Sequence, residues 1–227
     1  MLSFESIFVS VYLPLAISIL LYNGLKKKKG KIYLFFLSIF LFYLSFVIKY
    51  TLFPIPVNKK YLAYINQHMP FHEMLKYRIN FFPLWIRPDF TFLTKEQILN
   101  IILCIPFGFF INFIIKTNIS KILFYSFLIG FSIESLQMLL SVSIRHVYRT
   151  IDINDIIFNF TGGIIGFLFY LIIARIYVFI CDYFNIQHNE FTYYIYIHSI
   201  TKRKDGDSGI SKDVRKYHLL KKHIKKL

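Results

Sequence analysis

Three carboxylates, one guanidinium and two amides stand out in a chain that is otherwise strongly apolar: Glu134, Gln137, Arg149, Asp152, Asp155 and Asn159. Carboxylates can pair with a cation, accept hydrogen bonds or supply hard oxygen ligands to a divalent ion. A guanidinium offers a planar fork of donors to a carboxylate or phosphate. Read as a helix, Arg149, Asp152, Asp155, Asn159, Gly162 and Gly166 follow at steps of 3, 3, 4, 3 and 4, which puts them on one stripe. The other faces are Ile, Phe and Leu. Such a stripe on an apolar helix is the pattern of a membrane span that turns a polar seam toward its neighbours.

The neighbouring segments carry matching seams. Ser126, Gly130, Glu134, Gln137 and Ser141 are spaced 4, 4, 3 and 4, while Asn100, Cys104, Gly108 and Asn112 recur every fourth residue, with Pro106 interrupting the backbone ladder. Ser38, Ser45 and Lys49 share a face of an earlier span. A mid-span Asp, Lys or Arg facing lipid costs about 2.5–3.5 kcal/mol on insertion scales. Glu134, Arg149, Asp152 and Asp155 are therefore expected to face one another or a wet cavity. In this reading Arg149 pairs with Asp152 or Asp155, and Glu134 and Gln137 complete the network. Two roles remain open for the group: a polar clamp that fixes helix register, or a ligand site opening outward. For Gly162, Gly163 and Gly166 the reading is close helix packing.

The elements that must position these residues are membrane spans. Hydrophobic residues make up 56% of the 227, and the mean hydropathy is +0.52. A span needs about 20 largely apolar residues. Five runs qualify, at about 6–22, 32–53, 98–115, 122–142 and 156–180. The expected fold is all-α, a polytopic transmembrane helix bundle over residues 1–180, followed by a basic cytoplasmic tail at 181–227. Residues 55–96 form a polar and aromatic loop between the second and third spans, in which Trp85 and its neighbours favour the headgroup level. The first span lacks the basic lead-in and small-residue cleavage site of a secretory signal.

Charge sets orientation. With the amino end outside, the inner segments hold 17 Lys and Arg against 8 in the outer ones, and the short cluster Lys26–Lys31 alone favours this choice. The expected location is a cell membrane, multi-pass, with the carboxyl end cytoplasmic and the lipid bilayer as the first partner. The net charge of +15 sits in short loops and the tail without a nucleic-acid motif, so nucleic acid is not an expected partner. Cys104 and Cys181 read as free thiols. No cofactor motif, zinc spacing, nucleophile elbow or phosphate loop is present, and no metal site is assigned. His68, His72 and His146 read as solvated loop histidines.

Several pieces, in order, resemble the VanZ-like family of bacterial membrane proteins, named for a teicoplanin-resistance factor. Thr51-Leu-Phe-Pro54 ends the second span. Asn80-Phe-Phe-Pro83-Leu is similar to the family's loop motif, with Leu84 where Phe is common. Asn100 through Pro106-Phe107-Gly108 is similar to its Asn-to-Pro-Phe-Gly segment, and Glu134-Ser-Leu-Gln137 to its Glu-x-x-Gln. Arg149-x-x-Asp152-x-x-Asp155, followed by Asn159, Thr161, Gly162 and Gly166, resembles the last signature, with Asn154-Asp155 replacing an Asp-Asp pair. The resemblance covers about residues 30–170. It implies an association with lowered susceptibility to glycopeptide or lipoglycopeptide antibiotics.

The leading expectation is a non-enzymatic envelope factor whose outward polar site binds a cell-wall precursor or a glycopeptide-type antibiotic. Binding falls to Glu134, Gln137, Arg149, Asp152, Asp155 and Asn159. Structural roles fall to Pro54, Asn100, Pro106, Gly108, Gly162 and Gly166. The alternatives are a membrane enzyme acting on a lipid-linked phosphate or sugar, and a small transporter.

Overall fold

A computed structural model describes residues 1–82 and 94–200. Helix α1 is Phe4–Lys26 and α2 is Lys31–Leu52. Two short helices follow, α3 at Lys59–His68 and α4 at Phe71–Arg78, and then a two-residue strand β1 at Ile79–Asn80. Helix α5 is Lys95–Phe110, tightening into a 3₁₀ turn at Ile111–Phe113, and α6 is Ile119–Ile144. Strand β2, Ile151–Asp152, leads into α7 at Ile153–Tyr183, and α8 is Glu190–Ile200. Among the described residues, five helices (α1, α2, α5 with its 3₁₀ turn, α6 and α7) are long and apolar enough to cross a membrane. Phe42, Phe46, Phe131, Phe169 and Ile172 are exposed on α2, α6 and α7, a burden that acyl chains rather than water accommodate. This is a multi-pass helical membrane protein.

Local chemistry sets the helix ends. Thr94 and Gln97 form a reciprocal capping box at the start of α5, with Oγ1 accepting from Gln97 N at 3.3 Å and Gln97 Oε1 accepting from Thr94 N at 3.0 Å. Asn118 caps α6 by accepting from Lys121 N at 2.9 Å, and α6 stops where Arg145 adopts φ 50°. Asn58 caps α3 in the same manner. The polar segment read as a loop thus contains two capped or proline-started helices and a strand. Trp85 and Pro83 lie outside the described residues, as do the basic clusters beyond Ile200.

The chain forms two compact units, residues 1–170 and 171–227. In the first, the amino end is tied to the segment after α2 by an antiparallel bridge, Leu2 N to Ile55 O at 2.8 Å. The starts of α1, α5 and α7 and the ends of α2 and α6 gather at this loop end. Strand β1 pairs in parallel with β2, Ile79 opposite Ile151 and Asn80 opposite Asp152. Toward the other end, Phe36 stacks on Phe113 at 4.5 Å, and Tyr43 on α2 donates to Leu103 O on α5 at 2.7 Å. In the second unit, Tyr177 on α7 donates to Thr192 O at 3.1 Å, and Tyr196 on α8 donates to Asp182 Oδ1 at 2.7 Å. Helix α8 occupies the early part of the segment read as tail.

Candidate functional site

The end of α2 and the capping residue after it, Phe53, present three consecutive carbonyls that no intrahelical donor reaches. Each receives a donor from further along the chain. Gln137 Nε2 donates to Thr51 O at 2.9 Å, Tyr148 Oη to Leu52 O at 3.1 Å, and Arg149 Nη2 to Phe53 O at 2.6 Å. Pro54 follows and has no N–H to offer. The guanidinium also meets the negative end of the α2 dipole. This corrects one expectation: Arg149 does not form an ion pair with Asp152 or Asp155. The physical reason is that α7 begins at Ile153, so Arg149 is not on its helical stripe and points across to α2.

Asp152 also precedes the helix and serves as its cap. Its Oδ1 accepts from Asn154 N at 2.8 Å, Asn154 Nδ2 at 2.8 Å and Asn80 Nδ2 at 3.1 Å. Its own N–H donates to Glu134 Oε2 at 3.2 Å. Asp152 is thereby the knot that joins β1, the α7 start and α6. Asp155, in the first turn of α7, lies near the Asn100 amide of α5 and within electrostatic reach of Asp152, Glu96 and Glu134.

Around these groups is a cavity of about 860 Å³ at the loop end. Its wall includes Glu134, Gln137, Arg149, Asp155 and Asn159, five of the six residues assigned to binding from the sequence; Asp152 is not on it. Glu134 and Gln137 are buried on α6, and Asn159 is 1% exposed on α7. Asn159 Oδ1 accepts from Cys104 Sγ of α5 at 3.3 Å. The other polar lining includes Thr51, Arg78, Glu96, Asn100, His146 and Tyr148. Of these, Thr51 belonged to a quoted motif and Asn100 to a seam, whereas Arg78 and Glu96 carry no spacing signal that singles them out.

His146 is not a solvated loop histidine. It is buried at 8% exposure, with its main-chain N–H donating to Ser141 O at 3.0 Å and its ring edge-on to Tyr61. Burial, with the Arg78 guanidinium adding to it, pulls its imidazole below the ordinary value. Burial pushes the Tyr148 phenol up, and Arg149 opposes that shift.

Below the cavity the wall is closed by glycine. A methyl group on Gly166 would stand 1.9 Å from Ile105 O, on Gly162 2.2 Å from Ile101 O, and on Gly163 2.4 Å from Ser126 Oγ. Gly108 on α5 is as tight, 1.8 Å from Gly163 O. Helix α7 thus rests main chain to main chain on α5 and against Ser126 of α6. Pro106 removes one donor from α5 without ending it, and Asn112 Nδ2 donates to Gly108 O at 2.6 Å.

The VanZ/LLP1 family model matches residues 40–174, from within α2 into α7, and so includes all six candidate binding residues and the glycine seam. No curated protein and no solved structure matches the chain. With more than half of its length matched, and the polar wall and glycine seam both inside the matched stretch, the chain belongs to the VanZ/LLP1 family.

Proposed function

We propose that the loop end faces the exterior and that its cavity binds the polar head of an envelope ligand, a cell-wall precursor or a glycopeptide or lipoglycopeptide antibiotic of the teicoplanin type. Binding there lowers susceptibility without chemical turnover. The observation that carries this reading is the convergence of Glu134, Gln137, Arg149, Asp155 and Asn159, from two spans and a loop, on one open cavity. Intramembrane ionisable groups are costly to retain and mark binding paths more often than packing. Orientation rests on the five lysines of Lys26–Lys31 at the opposite end, which favour the cytoplasm.

The test compares cells with and without the gene for susceptibility to glycopeptides and lipoglycopeptides, and repeats it with Arg149→Ala and Glu134→Gln. The proposal expects a rise in inhibitory concentration that both variants reduce. Unchanged susceptibility across all strains removes the antibiotic role. Cysteine-accessibility labelling that places position 149 on the cytosolic side removes the orientation.

A further inference from the structure

Three carboxyl groups on the cavity wall, Glu96, Glu134 and Asp155, have no cationic partner among the described residues, where the only ion pair is Lys49–Glu5 at 4.0 Å. Both guanidiniums on the same wall are held by main-chain carbonyls: Arg149 by Phe53 O, and Arg78 by Val147 O at 3.1 Å. Glu134 is buried and Asp155 half-buried near it, and carboxylates so placed without a counter-charge repel one another and call for a cation or for protons.

A further group points the same way independently of charge. Gln137 lines the cavity at 6% exposure, and with its Nε2 fixed on Thr51 O its buried Oε1 has no hydrogen-bond partner. A buried acceptor left unmatched costs about 1–3 kcal/mol. The cavity therefore presents a surplus of acceptors, and what complements it is a donor.

The cavity also reaches the lipid face. Tyr50 on α2 and Leu99 and Ile102 on α5 line it, yet each is more than half exposed on a spanning helix, where the solvent is hydrocarbon. A ligand head among the carboxylates can have its chain leave sideways between α2 and α5.

We infer that the cavity binds the cationic, hydrogen-bond-donating head of an amphiphile, an ammonium seated among Glu134, Asp155 and Gln137 Oε1, with its apolar chain lying between α2 and α5. This rests on the reading of the cavity as a headgroup site and narrows it from polar to cationic.

The experiment uses the full chain in phosphatidylcholine nanodiscs with nitroxide-labelled stearylamine, phosphatidic acid and phosphatidylcholine, and measures the motionally restricted fraction of each by electron paramagnetic resonance. Stearylamine is expected to associate several-fold more strongly than phosphatidylcholine. That preference is expected to vanish in the double variant Glu134→Gln, Asp155→Asn, and to fall in Ile102→Trp, which narrows the side opening without touching a carboxylate. Unlabelled stearylamine should displace the label, whereas ethylamine and Ca²⁺ should not. Equal association of the amine and phosphatidylcholine overturns the inference. Displacement by ethylamine overturns the amphiphile, and displacement by Ca²⁺ assigns the carboxylates to an ion instead. A preference for phosphatidic acid that depends on cavity residues overturns the charge while leaving a headgroup site intact. Should the double variant not fold, Ile102→Trp on the lipid face decides alone: an undiminished amine preference there overturns the side entry.

Discussion

Helix α7 is two different surfaces joined end to end. Its first two turns carry Asp155 and Asn159 to an open polar cavity, while the next turns press Gly162, Gly163 and Gly166 against α5 and α6 with no room for a methyl group. The first surface keeps space; the second removes it altogether. Inside a membrane there is little hydrophobic gain from helix association, so backbone-to-backbone contact supplies the attraction and polar groups are left free for other work. The seam holds the bundle, and the cavity is what the seam holds open.

The sharpest way to break this division is at the seam. Gly166→Leu drives a side chain into Ile105 O, a main-chain atom that cannot rotate away, and the loss should be about 3 kcal/mol or more, above the usual range for overpacking. Thermal unfolding in detergent should show a collapsed transition or no folded yield; a wild-type melting temperature would mean that α5 and α7 are not in contact. Next in size is Arg149→Ala, which takes a charged donor from Phe53 O and should cost about 1.5–3 kcal/mol. If Arg149 instead served only a ligand, stability would not change and binding alone would.

Asp152→Ala should cost about 1 kcal/mol through loss of the α7 cap, with Asp152→Asn recovering most of it. Because Asp152 is not on the cavity wall, probe affinity should stay within about twofold if the variant folds. The smallest effect is a pH dependence at His146. Its folded pKa lies below the unfolded value of about 6.5, so above that pH both states are neutral and its contribution is nil. As pH falls below about 6.5 the unfolded chain takes up the proton first, and stability should decline. Melting temperatures between pH 7.5 and 5.5 should fall less in His146→Asn than in the unaltered protein.

The spans were legible because twenty-residue apolar runs have one physical meaning, and the seams because helix periodicity brings every third and fourth residue to one face. Glu134 with Gln137 and Asp155 with Asn159 do share cavity walls for that reason. The same rule misled at Arg149 and Asp152, which lie before α7 in irregular chain and a two-residue strand, where helical spacing has no force. Their distant partners are a carbonyl 96 residues away and the amide of Asn80, 72 residues away, contacts that local pattern does not encode. Pairing of β1 with β2 was invisible because two residues cannot show an alternation. Helices α3 and α4 were hidden by polar composition, although the Asn58 and Pro70 starts are ordinary signals of a helix beginning.

The grip of Gln137, Tyr148 and Arg149 on the end of α2 has a mechanical consequence. Sliding α2 by one residue would unseat three hydrogen bonds together, so this side of the cavity behaves as a fixed doorpost. Across the opening, Leu99 and Ile102 bring only apolar side chains, which can shift rotamer without undoing a bond. Any widening to admit or release a bulky occupant should therefore come from the α5 side.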